Sequence, residues 1–129
     1  VTADGLVGDS QADRKHHGGP QRAVCLYSLE RILSLQEEGH PIFPGAAGEN
    51  VTVVGLDWGR VAPGQQWRLG REVVIEVVSY TPPCATVRSC FREQQQNRIS
   101  QKHNPGWSRV YAKVLQAGRI GVGDAIERT

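Results

Sequence analysis

The stretch Arg71-Glu-Val-Val-Ile-Glu-Val-Val-Ser-Tyr-Thr-Pro-Pro-Cys84 constrains the fold more than any other. Val73 to Val78 is a β-branched run interrupted only by Glu76, which predicts a largely buried strand. Pro82 and Pro83 have no N–H to give a ladder, so the strand must stop before them. Cys84 follows at once, where a stiff strand opens into a loop, a frequent mount for chemistry. Taken alone, a cysteine at such a place is more often one more small buried apolar residue.

The rest of the chain reads as short pieces, because 15 glycines and 7 prolines divide its 129 residues. Ala23-Val-Cys-Leu-Tyr27 is a short apolar strand that turns Cys25 inward. Only one segment has helical periodicity. Ser28 suits an N-cap, Glu30 suits the first turn, Leu29, Ile32 and Leu33 share a face, and Gly39 ends a helix of about ten residues. This pattern favours an all-β fold with one or two short helices over a helical or βαβ one. Residues 1–129 make a single domain of ordinary size, and the start at Val1 rather than methionine suggests a truncated or processed extreme N-terminus.

The three cysteines, at 25, 84 and 90, are odd in number and form no CxxC pair. That is a poor disulfide framework and a poor zinc site, so a reducing, cytoplasmic setting with at least one free thiol is expected. No apolar run approaches the ~18 residues a membrane span needs, and no membrane association is expected. The net charge of +2 neither invites nor excludes a polyanion. A nucleic-acid partner is not expected.

Several loops carry groups suited to binding. Arg14-Lys-His-His-Gly-Gly-Pro20 places His17 beside Gly18 and Gly19, whose backbone N–H groups can approach an anion closely. Gly48-Glu49-Asn50 offers an acceptor and an amide, although Asn50 can equally tie its own backbone in a turn. Asp9 and Glu49 are read first as loop architecture, because short acidic side chains beside glycines usually hold backbone N–H groups. Arg88, Arg92 and Arg98 lie in a polar stretch, 85–102, that reads either as a solvated face or as a flap bringing arginines to an anionic ligand. Arg109 enters a half-buried strand beginning near Tyr111.

These pieces stand in a familiar order. Gly8-Asp9, His17-Gly18-Gly19-Pro20 with Ala23-Val24, Gly48-Glu49-Asn50 with Gly55-Leu56, Pro83-Cys84, Trp107-Ser108-Arg109-Val110-Tyr111 and Gly123-Asp124 together resemble the MOSC domain, named for the C-terminal domain of molybdenum cofactor sulfurase. The resemblance covers the chain from about Gly5 to Asp124. It implies a strand-rich, barrel-like β fold. It also implies molybdenum cofactor, with a cysteine at the position of Cys84 ligating molybdenum or carrying sulfur. Some relatives reduce N-hydroxylated compounds. The sequence departs from the larger relatives in lacking their additional N-terminal barrel and in having Thr81-Pro82 where a basic residue usually stands.

On that resemblance, molybdenum held by a pterin dithiolene leaves a position for a soft thiolate, and Cys84 supplies it. His17, Gly18, Gly19, Asn50 and Arg109, with the arginines of 88–98, are the groups expected to bind the cofactor's phosphate tail. Two functions of different kind follow. One is an enzyme reducing a small N-hydroxylated molecule with an electron-donor protein as partner. The other is a sulfur carrier or cofactor-binding module, with a persulfide on Cys84 and a sulfur-donor partner. Lys15, Lys102 and Lys113 sit in no motif that marks a Schiff-base site, so pyridoxal phosphate is not expected.

Overall fold

A computed structural model describes residues 23–83 and 85–129. Its strands are β1 (Val24–Ser28), β2 (Val51–Val53), β3 (Gln66–Leu69), β4 (Val73–Thr81), β5 (Arg109–Gln116) and β6 (Ile126–Arg128), and its helix is α1 (Leu29–Glu37). The strands are hydrogen-bonded in one sheet in the order β2-β1-β5-β4-β3-β6. The class is therefore β-rich with a single α-helix among the described residues, as the density of glycine and proline predicts. The chain divides into two compact units, Val1–Cys25 with Ala62–Ser79 and Tyr111–Thr129, and Leu26–Val61 with Tyr80–Val110.

In the first unit β3 and β4 pair antiparallel, Gln66 opposite Glu76 and Leu69 opposite Val73, and β6 pairs antiparallel with β3 on its other side. Val73, Ile75 and Val77 are buried while Val74, Glu76 and Val78 are half-buried, so β4 is two-sided rather than uniformly enclosed. Glu76 is tolerated because Lys113 lies 3.4 Å away and the Gln66 amide donates to it at 3.2 Å. The Pro63-Gly64 turn is preceded by a 3-10 turn at Trp58–Arg60 and followed by β3.

In the second unit β1 and β2 are parallel, Leu26 opposite Val51 and Ser28 opposite Val53, with α1 in the connection. A βαβ crossover thus exists inside a fold whose composition argued against that motif, because parallel neighbours need a long connection and α1 supplies it. The Ser28 hydroxyl caps α1 by accepting from the Arg31 N–H at 3.2 Å. At the other end Gly39 has φ +95°, Gly39 N–H donates to Gln36 and His40 N–H to Leu35, the two-bond closure that a left-handed residue permits. Ile32 and Leu35 are buried, whereas Leu33, expected on the inner face, is half exposed.

Residues 85–102, read either as a solvated face or as an arginine-bearing flap, include three 3-10 turns, Ala85–Cys90, Arg92–Gln94 and Gln96–Ile99. Val87, Cys90, Phe91 and Ile99 anchor them in the interior. The polar residues between these anchors hid a spacing of three, Val87 to Cys90, that puts both on one side of a 3-10 turn, with Phe91 following in extended backbone.

Candidate functional site

The end of β4 poses a bonding problem. Pro82 and Pro83 donate nothing, yet the carbonyls of Thr81 and Pro82 remain and need partners. Two consecutive side chains at the start of β5 reach them. The Ser108 hydroxyl lies 3.2 Å from the Thr81 carbonyl and 2.7 Å from the carbonyl of Arg109, and Arg109 Nη2 donates to the Pro82 carbonyl at 3.1 Å. Arg109 is fully enclosed, at 0% exposure, and its Nη1 donates to the Ala47 carbonyl at 2.5 Å. One guanidinium therefore ties the loop that ends in Gly48-Glu49-Asn50 to the segment that leads into Cys84.

The segment before Arg109 is itself held by side chains. Arg31 Nε donates to the Gly106 carbonyl at 3.0 Å, the Tyr27 hydroxyl to that of Trp107 at 2.6 Å, and the Trp58 indole to that of Ser108 at 2.8 Å. Three carbonyls in a row are thus claimed by three different elements. The guanidiniums of Arg31 and Arg98 lie over the Trp107 ring, 4.4 and 3.9 Å from its centroid, and Arg98 also bonds both oxygens of Glu38. That pair of hydrogen bonds from Arg98 holds the Glu38 carboxyl below the usual range. Burial pushes the Tyr27 phenol well up, against the nearby charges of Arg109, Arg31 and Arg98.

Glu49 is the unusual member of the group. Its side chain is buried, and among the described residues neither oxygen has a hydrogen-bond partner; Arg109 Nε is also enclosed without one. Burial pushes the Glu49 pKa up to about 7. The Gly45 amide and then the Arg109 charge pull the other way and lose. Those nearby amides act as dipoles at a distance, because none reaches bonding geometry. Glu49 was read as loop architecture tying backbone N–H groups; it is instead an enclosed acid with unsatisfied oxygens. Cys90 lies close by: its thiol reaches the Ala46 carbonyl at 3.3 Å, and burial, then the Glu49 charge, raise its pKa.

The expected site residues fall in two groups. Cys84, His17, Gly18, Gly19 and Asp9 lie outside the described residues. Asn50 is half-buried and engaged in the bend before β2, and Arg109 is an interior residue, not a surface one. Arg88 and Arg92 are exposed, whereas Arg98 is committed to Glu38 and Trp107. Sequence reading missed Tyr27, Trp58 and Ser108, whose only signal was their place in aromatic or polar motifs. Among the described residues no group of three or more His, Cys, Asp or Glu side chains could hold a metal ion, and no helix is long and apolar enough to cross a membrane.

A β-rich fold with an enclosed polar centre beside a strand-ending proline pair defines a class, and comparison with known proteins supplies the family. The family model for the MOSC domain matches residues 13–127. YiiM of Escherichia coli (strain K12) is 39% identical over 132 residues, covering 98% of this chain and 57% of that protein. A protein named "Reductase" from Gibberella moniliformis (strain M3125 / FGSC 7600) is 31% identical over 130 residues, 97% of this chain and 22% of its own length. The crystal structure of YiiM from Geobacillus stearothermophilus superimposes with a TM-score of 0.70 at 28% identity, over 86% of this chain and 56% of that one. The chain belongs to the MOSC domain family. It spans about half the length of the curated bacterial relatives it matches.

Proposed function

We propose that this chain binds molybdenum cofactor through Cys84 and, supplied with electrons by a partner protein, reduces N-hydroxylated compounds. The observation that carries the reading is the clamp on the segment before Cys84. Ser108 and Arg109 reach the Thr81 and Pro82 carbonyls, and the same arginine holds the loop of Glu49 and Asn50. Family membership supports the cofactor, and the likeness to a fungal reductase supports redox chemistry.

The described residues fit such a ligand. Glu49 carries two acceptors and Arg109 one donor without partners, in an interior where unsatisfied polar atoms are costly and need a reason. A pterin, with N–H donors and ring acceptors, is of matching chemistry. A cofactor that brings its own dithiolene needs one soft ligand from the protein, and a lone thiolate meets that need. His17, Gly18, Gly19 and Asn50 would hold the phosphate tail, while Arg109 contributes its charge from behind the loop. Glu49 holds a proton near neutral pH. When bound, the cofactor would supply two-electron redox chemistry for reducing an N–O bond. The balance is an N-hydroxylated compound plus two electrons and two protons, giving the reduced nitrogen and water.

The test is turnover of an aryl amidoxime by the purified chain, with a reduced viologen dye as electron donor. Amidine formation lost in Cys84→Ser is the expected result. No turnover, together with an added sulfur atom on Cys84 in the intact mass, would replace this reading with that of a sulfur carrier.

A further inference from the structure

We propose that Arg109 is a positioning residue: its guanidinium fork, braced by Ser108, sets the path of the Pro82-Pro83 segment that leads into Cys84 by tying it to the loop at Ala47. The inference deepens the proposed function but concerns the path of the chain itself, so it can fail or hold independently of the cofactor. A strand that runs into two prolines has no N–H to donate at either of them, so the path of the proline pair depends on what its carbonyls meet. Here the acceptor side is held instead. The Pro82 carbonyl accepts from Arg109 Nη2 at 3.1 Å, and the Thr81 carbonyl lies 3.2 Å from the Ser108 hydroxyl, which has one proton to give and also lies 2.7 Å from the Arg109 carbonyl.

The fork is suited to this task and an ammonium is not. A planar guanidinium carries donors at fixed angles and bridges two acceptors at once, whereas a lysine carries a single charge on a flexible stem. Arg109 uses separate nitrogens on Ala47 and Pro82: the bond to Ala47 is buried away from water, and the one to Pro82 is part-buried. The holding side chains are themselves fixed. The carbonyls of Trp107 and Ser108 are bonded by Tyr27 and Trp58, so the start of β5 cannot slide to follow a loosened loop.

Backbone hydrogen exchange of the chain purified without cofactor reads this directly, because amides of residues 84–90 report the order of the segment. Arg109→Lys keeps the charge but cannot bridge both carbonyls. We expect its exchange to accelerate about tenfold in peptides covering 84–90, while peptides from β1 keep wild-type rates. Leu35→Ala, a cavity in α1 far along the chain, serves as a destabilised control and should not accelerate 84–90 selectively. Ser108→Ala, which removes the hydroxyl that reaches Thr81, should give a smaller selective rise of about threefold and stands in if Arg109→Lys does not fold. Unchanged exchange at 84–90 in the variants, or the same acceleration in Leu35→Ala, overturns the proposal. If the segment loosens as expected and molybdenum never binds in any form of the protein, the positioning role stands and the proposed function falls.

Discussion

Replacing Glu49 by glutamine should change how stability depends on pH, and the size of the change follows from the burial of one carboxyl. The Glu49 pKa rises from 4.5 to about 7 on folding, chiefly because the charged form loses its water. The folded state therefore holds a proton that the unfolded chain releases between those values, and stability falls as pH rises through that window. Well below pH 4.5 the group is protonated in both states and exacts no penalty; above pH 7 the folded protein carries a buried carboxylate whose lost hydration the Gly45 amide and the Arg109 charge offset only in part. Linkage across the window gives a loss of about 2.5 kcal/mol between roughly pH 5 and pH 8. The substituted glutamine does not titrate and has nearly the same shape, so the difference between the two proteins isolates the contribution of the carboxyl. Urea unfolding of the cofactor-free chain at several pH values should show the variant gaining about 2.5 kcal/mol on the wild type between those limits. For a chain of this size that corresponds to a relative gain of roughly 10 °C in Tm. A stability gap independent of pH would refute the claim that Glu49 is enclosed without a partner.

Three further substitutions test the supports of the site. Ser28→Ala removes the acceptor for the Arg31 N–H and should cost about 1 kcal/mol in chemical unfolding. Trp58→Phe leaves the Ser108 carbonyl without its indole donor in a buried setting, and a loss of about 1–3 kcal/mol by the same assay is expected. Gly39→Ala forces a side chain into φ +95° and brings its Cβ to 3.3 Å from an Arg92 nitrogen, so Tm should drop by an amount corresponding to about 1 kcal/mol or more.

What could be read from the sequence was local. The strand ending at Thr81, the Ser28 cap and the Gly39 terminator depend on neighbours a few residues away, and each appears where the residue pattern puts it. The parallel pairing of β1 and β2 was not legible, because nothing in the three-residue strand Val51–Val53 announces its partner. The bonds that hold the site span 80 residues from Tyr27 to Trp107, 62 from Ala47 to Arg109 and 50 from Trp58 to Ser108, and no local pattern encodes them. Glu49 misled for a physical reason. An acidic side chain beside loop glycines usually ties backbone N–H groups, whereas this one is buried with neither oxygen bonded among the described residues. Arg109 was visible as part of a motif, but its inward orientation depends on carbonyls supplied by two other loops.

The most direct measurement is elemental analysis of the wild-type chain and its Cys84→Ser variant, both expressed in a host that makes molybdenum cofactor. Binding through Cys84 predicts molybdenum near one atom per chain in the wild type and its loss in the variant. Equal, negligible molybdenum in both would contradict it.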